Sequence, residues 1–187
     1  MTKRYTSLHQ YTLLFFLISF FGWGIEMLYC LARTGRFADR GFLTLPFCTI
    51  YGFSILSIYA LIGTPQNGRF LLKKCTHRRL RYPCYFLLAM LIPTLMELVT
   101  AAALDHAFAI RLWDYHPYPL DLWGYICLPL SFAWGVLITL FMAFCFPPLQ
   151  RLIERIPSKT TCVLGTALSL AVIADWIVCF VKIFSRL

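Results

Sequence analysis

The sequence has few acidic residues and few charges of either sign. Aspartate and glutamate together number 8 of 187 residues, and all charged residues make up 13% of the chain. Soluble domains carry about 25% charged residues, so this shortage excludes an ordinary soluble fold. Hydrophobic side chains take their place, at 60% of the sequence, with a mean hydropathy of +0.72. The composition therefore predicts a membrane protein.

The sequence also lacks any polar stretch long enough to form a separate soluble domain. Windows of roughly 20 apolar residues, the length that crosses a hydrocarbon core of about 30 Å, recur along the chain. They lie at about residues 11–31, 45–63, 83–103, 126–146 and 161–184. We therefore expect one all-α transmembrane domain, residues 1–187, built as a bundle of five spans with re-entrant or interfacial outer loops. No room remains for a separate catalytic or nucleotide-binding domain.

Motifs that hold metals, disulfides or nucleotides are missing from the sequence. The 8 cysteines contain no CxxC pair and fall mostly within the predicted spans, which favours small apolar filler. The 4 histidines are scattered without ligand spacing, so no metal site is predicted. No GxxxxGK[ST] phosphate loop occurs. We expect no bound cofactor, and any ATP hydrolysis has to come from another subunit.

Basic residues give a net charge of +9, and their placement indicates topology rather than nucleic-acid binding. With the N-terminus in the cytoplasm, the inner segments hold the larger share of the 17 lysines and arginines, as the positive-inside rule requires. The inner set is Lys3, Arg4, Arg69, Lys73, Lys74, Arg78, Arg79, Arg81, Arg151, Arg155 and Lys159, and the outer set is Arg33, Arg36, Arg40, Arg111, Lys182 and Arg186. We expect a multi-pass protein of the cytoplasmic membrane. The basic loop from Arg69 to Arg81 faces anionic membrane lipid or, as the less favoured alternative, a cytoplasmic partner such as an ATPase.

Three of the acids fall inside predicted spans, where an ionisable side chain is costly and by default indicates a functional site. They are Glu26, Glu97 and Asp175, in the first, third and fifth spans. Each lies about fifteen residues along its span, which at about 1.5 Å per residue places it roughly 22 Å from the cytoplasmic end. The shared depth predicts one polar layer in the outer half of the membrane. A static network of ion pairs that fixes helix order is the alternative interpretation.

Two outer loops supply candidate partners for this layer. Arg40 is the favoured cation, because Gly41 lets the backbone turn inward after it and a guanidinium binds a carboxylate at two points. The segment LWDYHPYPLDLWGYICL, residues 112–128, is rich in aromatic residues that favour the membrane interface, and its prolines forbid a continuous helix. We predict that it covers the carboxylates as a lid, with Asp114 and Tyr115 facing inward.

The same segments carry a family resemblance. FFGWGIEMLY (residues 20–29), FADRGFLTLPFCTIYGF (residues 37–53), Glu97, the segment 112–128 and Asp175 together resemble the bacterial ABC-transporter permease family called the type IV group. The similarity runs from about residue 15 to about residue 180. It implies a small polytopic protein of the bacterial inner membrane connected with transport. The positions it implies are Trp23, Glu26, Arg40, Gly41, Tyr51, Gly52, Glu97, Trp113, Asp114, Tyr115, Gly124 and Ile126.

The chain departs from the family pattern at Leu112, Asp121 and Tyr125. A second tryptophan, an asparagine and a basic residue are usual at these positions. The change at Tyr125 removes one candidate cation partner for the buried acids.

Three classes of function stay open. The favoured one is a transporter or permease subunit for a small solute or ion, whose outer-half cavity holds Glu26, Arg40, Glu97, Asp114, Tyr115 and Asp175. An intramembrane enzyme acting on lipid or lipid-linked substrate is less favoured, because no nucleophile set can be assembled on one side. A non-catalytic scaffold is the third. Five spans without an internal repeat also make a homo-oligomer plausible.

Overall fold

The computed structural model describes residues 7–37, 42–74, 77 and 79–185, and most of these residues are helical. The elements are α1 (Leu8–Thr34), α2 (Thr49–Leu61), a 3-10 turn (Leu72–Lys74), α3 (Arg81–Phe108), β1 (Asp121–Leu122), β2 (Ile126–Cys127), α4 (Leu128–Leu140), α5 (Phe146–Glu154) and α6 (Ser158–Phe184). A π-helical turn, Phe141–Cys145, joins α4 to α5 without a break. The prediction of an all-α membrane fold is confirmed.

Four helical stretches in the described chain are long and apolar enough to cross a membrane. They are Leu8–Thr34, Arg81–Phe108, Leu128–Glu154 and Ser158–Lys182. They account for four of the five predicted spans. The fifth, predicted at about residues 45–63, contains only the 13-residue helix Thr49–Leu61, which at about 1.5 Å per residue is roughly 20 Å long and too short to cross alone.

The described residues pack into two compact units. The first unit comprises Met1–Phe53 and Leu149–Leu187, and the second comprises Ser54–Pro148. Each boundary falls within or beside a helix, so α2 passes from the first unit into the second and α5 passes back. Their internal packing is described separately.

In the first unit, α1 and α6 lie side by side and run in the same direction. Gly165 near the start of α6 faces Thr12 near the start of α1, and further along Val172 packs with Phe16 and Leu43. α1 begins at Ser7, whose hydroxyl accepts from the Gln10 backbone N–H while the Gln10 side chain accepts from Ser7 N–H. This reciprocal capping box satisfies two helix-end donors.

In the second unit, α3 and α4 pack against each other in opposite directions. Gly135 of α4 lies against Met90 and Phe86 in the first half of α3, whereas Tyr125, just before α4, bonds Asp105 near the end of α3. α3 ends at Ala109, which takes a left-handed conformation with φ 53°. The chain then forms a short segment, residues 109–127, which we call the cap, before α4 begins.

Candidate functional site

Asp175 holds a non-helical stretch of the first unit, residues 42–48. This side chain is 8% exposed. One carboxylate oxygen accepts from the Leu45 N–H at 2.9 Å and the other accepts from the Thr44 hydroxyl. Backbone donors outside a helix need partners where water is absent, and Asp175 provides one. The carboxylate therefore fixes the path of the chain just before Pro46.

Glu26 holds the first turn of α2, which directly follows this stretch. Its Oε1 accepts from the Tyr51 hydroxyl at 2.6 Å. Nearby, the Cys48 N–H donates to the carbonyl of Ser19, in the middle of α1, at 3.0 Å. The first turn of α2 therefore begins beside the middle of α1, next to a carboxylate.

Two glycines allow α1 and α2 to approach this closely. A Cβ at Gly22 of α1 would overlap the Tyr51 ring, with 2.6 Å to its Cδ2. A Cβ at Gly52 of α2 would lie 2.6 Å from the Phe15 ring. Tyr51 and Gly52, two positions implied by the family resemblance, thus lie in one interface between α1 and α2. There the tyrosine ring packs over Gly22 and its hydroxyl reaches Glu26.

In the second unit, two acids of α3 hold the cap. Glu97 accepts from the Tyr115 hydroxyl at 2.9 Å. Asp105 accepts from the Tyr125 hydroxyl and from the Arg111 guanidinium, both at 2.8 Å. The bond to Asp105 raises the pKa of both Tyr125 and Arg111, because ionisation of the phenol or loss of the guanidinium proton would remove a favourable contact.

The cap is tied together internally. Its short hairpin pairs Asp121 with Cys127 and Leu122 with Ile126. The Tyr115 N–H, from the chain before the hairpin, donates to the carbonyl of Gly124 in the hairpin turn at 2.9 Å. Gly124 has a φ of 73°, and a side chain there would also collide with His116 and Asp114, so only glycine fits.

Two further predicted residues of the cap have local roles. Trp113 donates its indole N–H to the Tyr125 carbonyl at 2.9 Å. Asp114 is exposed and accepts from the backbone N–H of His116 at 3.0 Å, and it lies 2.7 Å from the His116 ring nitrogen. These contacts, the backbone one foremost, lower the pKa of Asp114. Of the two residues predicted to face inward, Tyr115 contacts α3, whereas Asp114 points to solvent.

The predicted carboxylates have different partners. Glu26 and Asp175 both contact the segment 42–51 of the first unit, through Tyr51 and through Thr44 and Leu45 respectively. Glu97 contacts Tyr115 in the second unit. Arg40 and Gly41, the predicted cation and its turn, lie outside the described residues. Trp23 stacks on Phe20 with ring centroids 6.0 Å apart.

Sequence reasoning missed four contributors to these contacts. The contacts of Thr44 and of the Leu45 N–H with Asp175 could not be predicted, because a single threonine and a backbone donor in an apolar run do not differ from residues that only pack. Arg111 and Tyr125 were visible only as an outer cation and a departure from the family pattern. Within the described ranges, no group of three or more His, Cys, Asp or Glu residues is arranged to hold a metal ion.

Comparison with known proteins gives a family for this arrangement. Residues 13–180 match the model of the family described as "Putative ABC-transporter type IV". The chain belongs to this family. The match to the type IV family spans Glu26, Glu97 and Asp175 as well as the cap, so every carboxylate contact described above lies inside the family's common region. Neither a curated protein nor a solved structure matches the chain significantly.

Proposed function

We propose that this type IV family member is a transport protein or permease subunit of the bacterial cytoplasmic membrane, for a small solute or ion. We further propose that its N-terminus is cytoplasmic and that the chain crosses the membrane five times. The observation that carries the proposal is the apolar stretch 42–61, whose non-helical part is held by Asp175 and whose helix α2 is held by Glu26. We interpret this stretch as an interrupted crossing.

The direction of the helices supports a fifth crossing. α1 and α6 run in the same direction, as the contacts of Gly165 with Thr12 and of Val172 with Phe16 require. Between the end of α1 and the start of α6 the chain must therefore cross an odd number of times. α3 and the continuous stretch Leu128–Glu154 supply two crossings. The apolar residues 42–61 are the segment that supplies the third.

Length supports the same segment. α2 is roughly 20 Å long at about 1.5 Å per residue. About 10 Å of a hydrocarbon core of about 30 Å is then left for the non-helical residues that precede it. Residues 42–48 are bent and lead into α2 beside the middle of α1.

An interrupted crossing favours transport over the alternatives. Non-helical backbone at membrane depth is tolerated only where protein buries it or where it lines a cavity, and transporters place substrate and ion sites at such breaks. A scaffold has no need of this arrangement, and uninterrupted helices would be simpler. An intramembrane enzyme would need a nucleophile and a general base beside each other. The described neighbours of the two acids are the hydroxyls of Thr44 and Tyr51 and the Cys179 thiol, and no histidine is among these contacts.

The source of energy is the remaining part of the proposal. Without a phosphate loop in the chain, an ABC system would require an ATPase subunit bound on the cytoplasmic side. The basic loop Arg69 to Arg81 is the proposed contact, although Arg69 bonds Tyr59 at 2.9 Å and Arg81 bonds the Gln66 carbonyl at 2.9 Å. Lys73 and Arg79 are the exposed cations that remain for a partner among the described residues there. A carrier acting alone would instead use the carboxylates as proton or cation sites.

The deciding experiment measures ion flux in proteoliposomes. Purified protein is reconstituted with a trapped pH dye and a potassium-diffusion potential, with and without ATP and any ATPase that co-purifies. We expect flux in one of these settings and its loss in Glu26→Gln, which keeps an oxygen for Tyr51 but removes the charge. Asp121→Asn is the matched control, because an amide oxygen still accepts from the Gly124 N–H that Asp121 now binds at 2.9 Å. Absence of flux in every setting, or full flux in Glu26→Gln, would contradict the proposal.

A further inference from the structure

An open cleft lies where the first unit's two long helices begin. Its volume is about 460 Å³, and its lining residues are Ser7, Gln10, Glu154, Arg155, Ile156, Pro157 and Ser158. Small-molecule sites occupy roughly 300–1,000 Å³, so the cleft is large enough for a polar headgroup. None of the residues predicted for the transport site lines it. The cleft is therefore separate from the interrupted crossing.

The walls of the cleft are fixed by internal bonds. The Gln10 side chain, which is 8% exposed, donates to the carbonyl of Ile153 at 3.4 Å. This bond joins the start of α1 to the end of α5. The Arg155 and Ile156 N–H groups close the following turn onto Leu152 and Ile153 at 3.2 and 3.1 Å. Hydrogen bonds between α1, α5 and the turn before α6 thus fix the shape of the cleft.

The cleft presents one positive and one negative side chain next to each other. Arg155 is exposed, and its guanidinium has no hydrogen-bond or ion-pair partner among the residues that the structure describes. Glu154 accepts from the Gln150 amide at 2.9 Å, and a carboxylate can accept further donors. The hydroxyl groups of Ser7 and Ser158 line the same space. This set of groups matches a molecule that carries a phosphate and an ammonium.

The surroundings of the cleft are those of a membrane surface. Both α1 and α6 cross the bilayer and start here, so the cleft lies at the level of the lipid headgroups. Leu8 and Leu152, close to the lining residues in sequence, are 79% and 58% exposed, and their side chains suit acyl chains. A free phosphate compound has no acyl chains to contact these apolar side chains, so their presence favours a lipid.

We propose that this cleft binds the headgroup of a phosphoethanolamine lipid. The Arg155 guanidinium binds the phosphate by charge-assisted hydrogen bonds, and the Glu154 carboxylate accepts from the primary ammonium. In the orientation proposed above, the lipid comes from the cytoplasmic leaflet. The binding itself does not depend on whether the protein transports anything.

Thermal unfolding of the full chain in detergent tests the proposal. Short-chain lipids with phosphoethanolamine, phosphocholine and phosphoglycerol headgroups are titrated separately, beside inorganic phosphate and free phosphoethanolamine. We expect the phosphoethanolamine lipid to raise the unfolding midpoint at the lowest concentration. Phosphocholine has no N–H to donate to Glu154, and phosphoglycerol has no ammonium. Equal effects of the three lipids, or an equal effect of inorganic phosphate, would overturn the proposal without any variant.

Variants then assign the two charges. Arg155→Gln should weaken binding of the phosphoethanolamine lipid by about tenfold, the change expected when one charge-assisted hydrogen bond is lost. Glu154→Gln should remove the preference for phosphoethanolamine over phosphoglycerol. Arg151→Gln, an equal change of charge one turn earlier and outside the lining, should bind like the wild type. Wild-type affinity in Arg155→Gln, or a loss as large in Arg151→Gln, would show a general surface effect and refute the site.

Discussion

In the first unit, Asp175 takes its donors from a backbone N–H and a threonine hydroxyl and is 8% exposed. In the second unit, Asp105 takes its donors from a phenol and a guanidinium, and its side chain is 22% exposed beside an Arg111 that is 43% exposed. Both acids lie in the C-terminal halves of long helices and hold a non-helical segment. They differ in what happens to the partner when the acid is lost, because Arg111 can turn to water and the Leu45 N–H cannot.

The comparison indicates that acids on the long helices of this chain hold neighbouring chain segments in place. Glu26 and Asp175 hold the segment 44–51, and Glu97 and Asp105 hold the cap. In the arrangement proposed above, the segment 44–51 lies at membrane depth, where transport would require it to be positioned. The cap then lies at the membrane surface, where a modest loss of order is tolerated.

Replacement of Asp175 should have the largest effect. Asp175→Ala leaves the Leu45 N–H and the Thr44 hydroxyl without their acceptor, at a cost of about 1–3 kcal/mol for each buried unpaired group. We expect a much lower thermal unfolding midpoint in detergent and more aggregated protein on size exclusion. The unfolding midpoint of Asp175→Asn, which keeps one acceptor oxygen, should lie between those of the wild type and Asp175→Ala. Asp105→Ala should cost less than Asp175→Ala, and the reverse order would contradict the distinction between the units.

A substitution at the close contact between α1 and α2 should have the second-largest effect on stability. Gly22→Ala forces the Tyr51 ring away from α1, and overpacking of this kind costs about 1–3 kcal/mol. Gly24→Ala is the matched control, because its Cβ would meet nothing within 4 Å, and removal of a helix glycine there should gain roughly 0.5–1 kcal/mol. Unfolding midpoints of the two variants should therefore move in opposite directions. If both midpoints rise equally, helix propensity and not the Tyr51 contact controls the stability at Gly22.

Loss of a single bond to the cap should have a smaller and local effect. Tyr125→Phe removes the hydroxyl that donates to Asp105 while Arg111 keeps its contact. We expect faster hydrogen exchange of amides in residues 109–127 and unchanged exchange in α1 and α6. Tyr82→Phe, at an exposed position of α3, should alter neither. Faster exchange throughout the chain would show that the cap is required for the whole fold.

Apolar runs predicted most of the fold, because helices in a membrane satisfy their own backbone and need only length and hydropathy. The exception is instructive. Residues 45–63 have the composition of a span, yet residues 42–48 are bent and non-helical. Asp175 and the Ser19 carbonyl, both from elsewhere in the chain, accept from the N–H groups of Leu45 and Cys48. Composition cannot reveal such long-range partners.

For the candidate site, the types of residue were visible but their pairing was not. Glu26, Glu97 and Asp175 stood out because charges in spans are rare. The expected common layer rests on equal depth alone, and depth does not tell which way each helix face turns. Tyr115, which was expected to face the acids, donates to Glu97. Asp114, the neighbouring residue, faces solvent because the backbone of the cap turns toward His116 there.

The smallest expected effect concerns the pH response of the cap. The pKa of Asp114 lies below its ordinary value of 3.8, chiefly through the backbone N–H of His116 and then through its ring. A carboxyl whose folded-state pKa is lowered stabilises the fold at neutral pH, and this contribution is lost as the pH falls from about 4 through the folded-state pKa. His116→Ala should raise the Asp114 pKa only part of the way to 3.8, because the backbone donor stays. A carbon-detected NMR titration of the Asp114 carboxyl measures this, and a full return to 3.8 would show that the ring alone lowers the pKa. Since Asp114 is exposed, the variant should leave the unfolding midpoint at neutral pH almost unchanged, in contrast to Asp175→Ala.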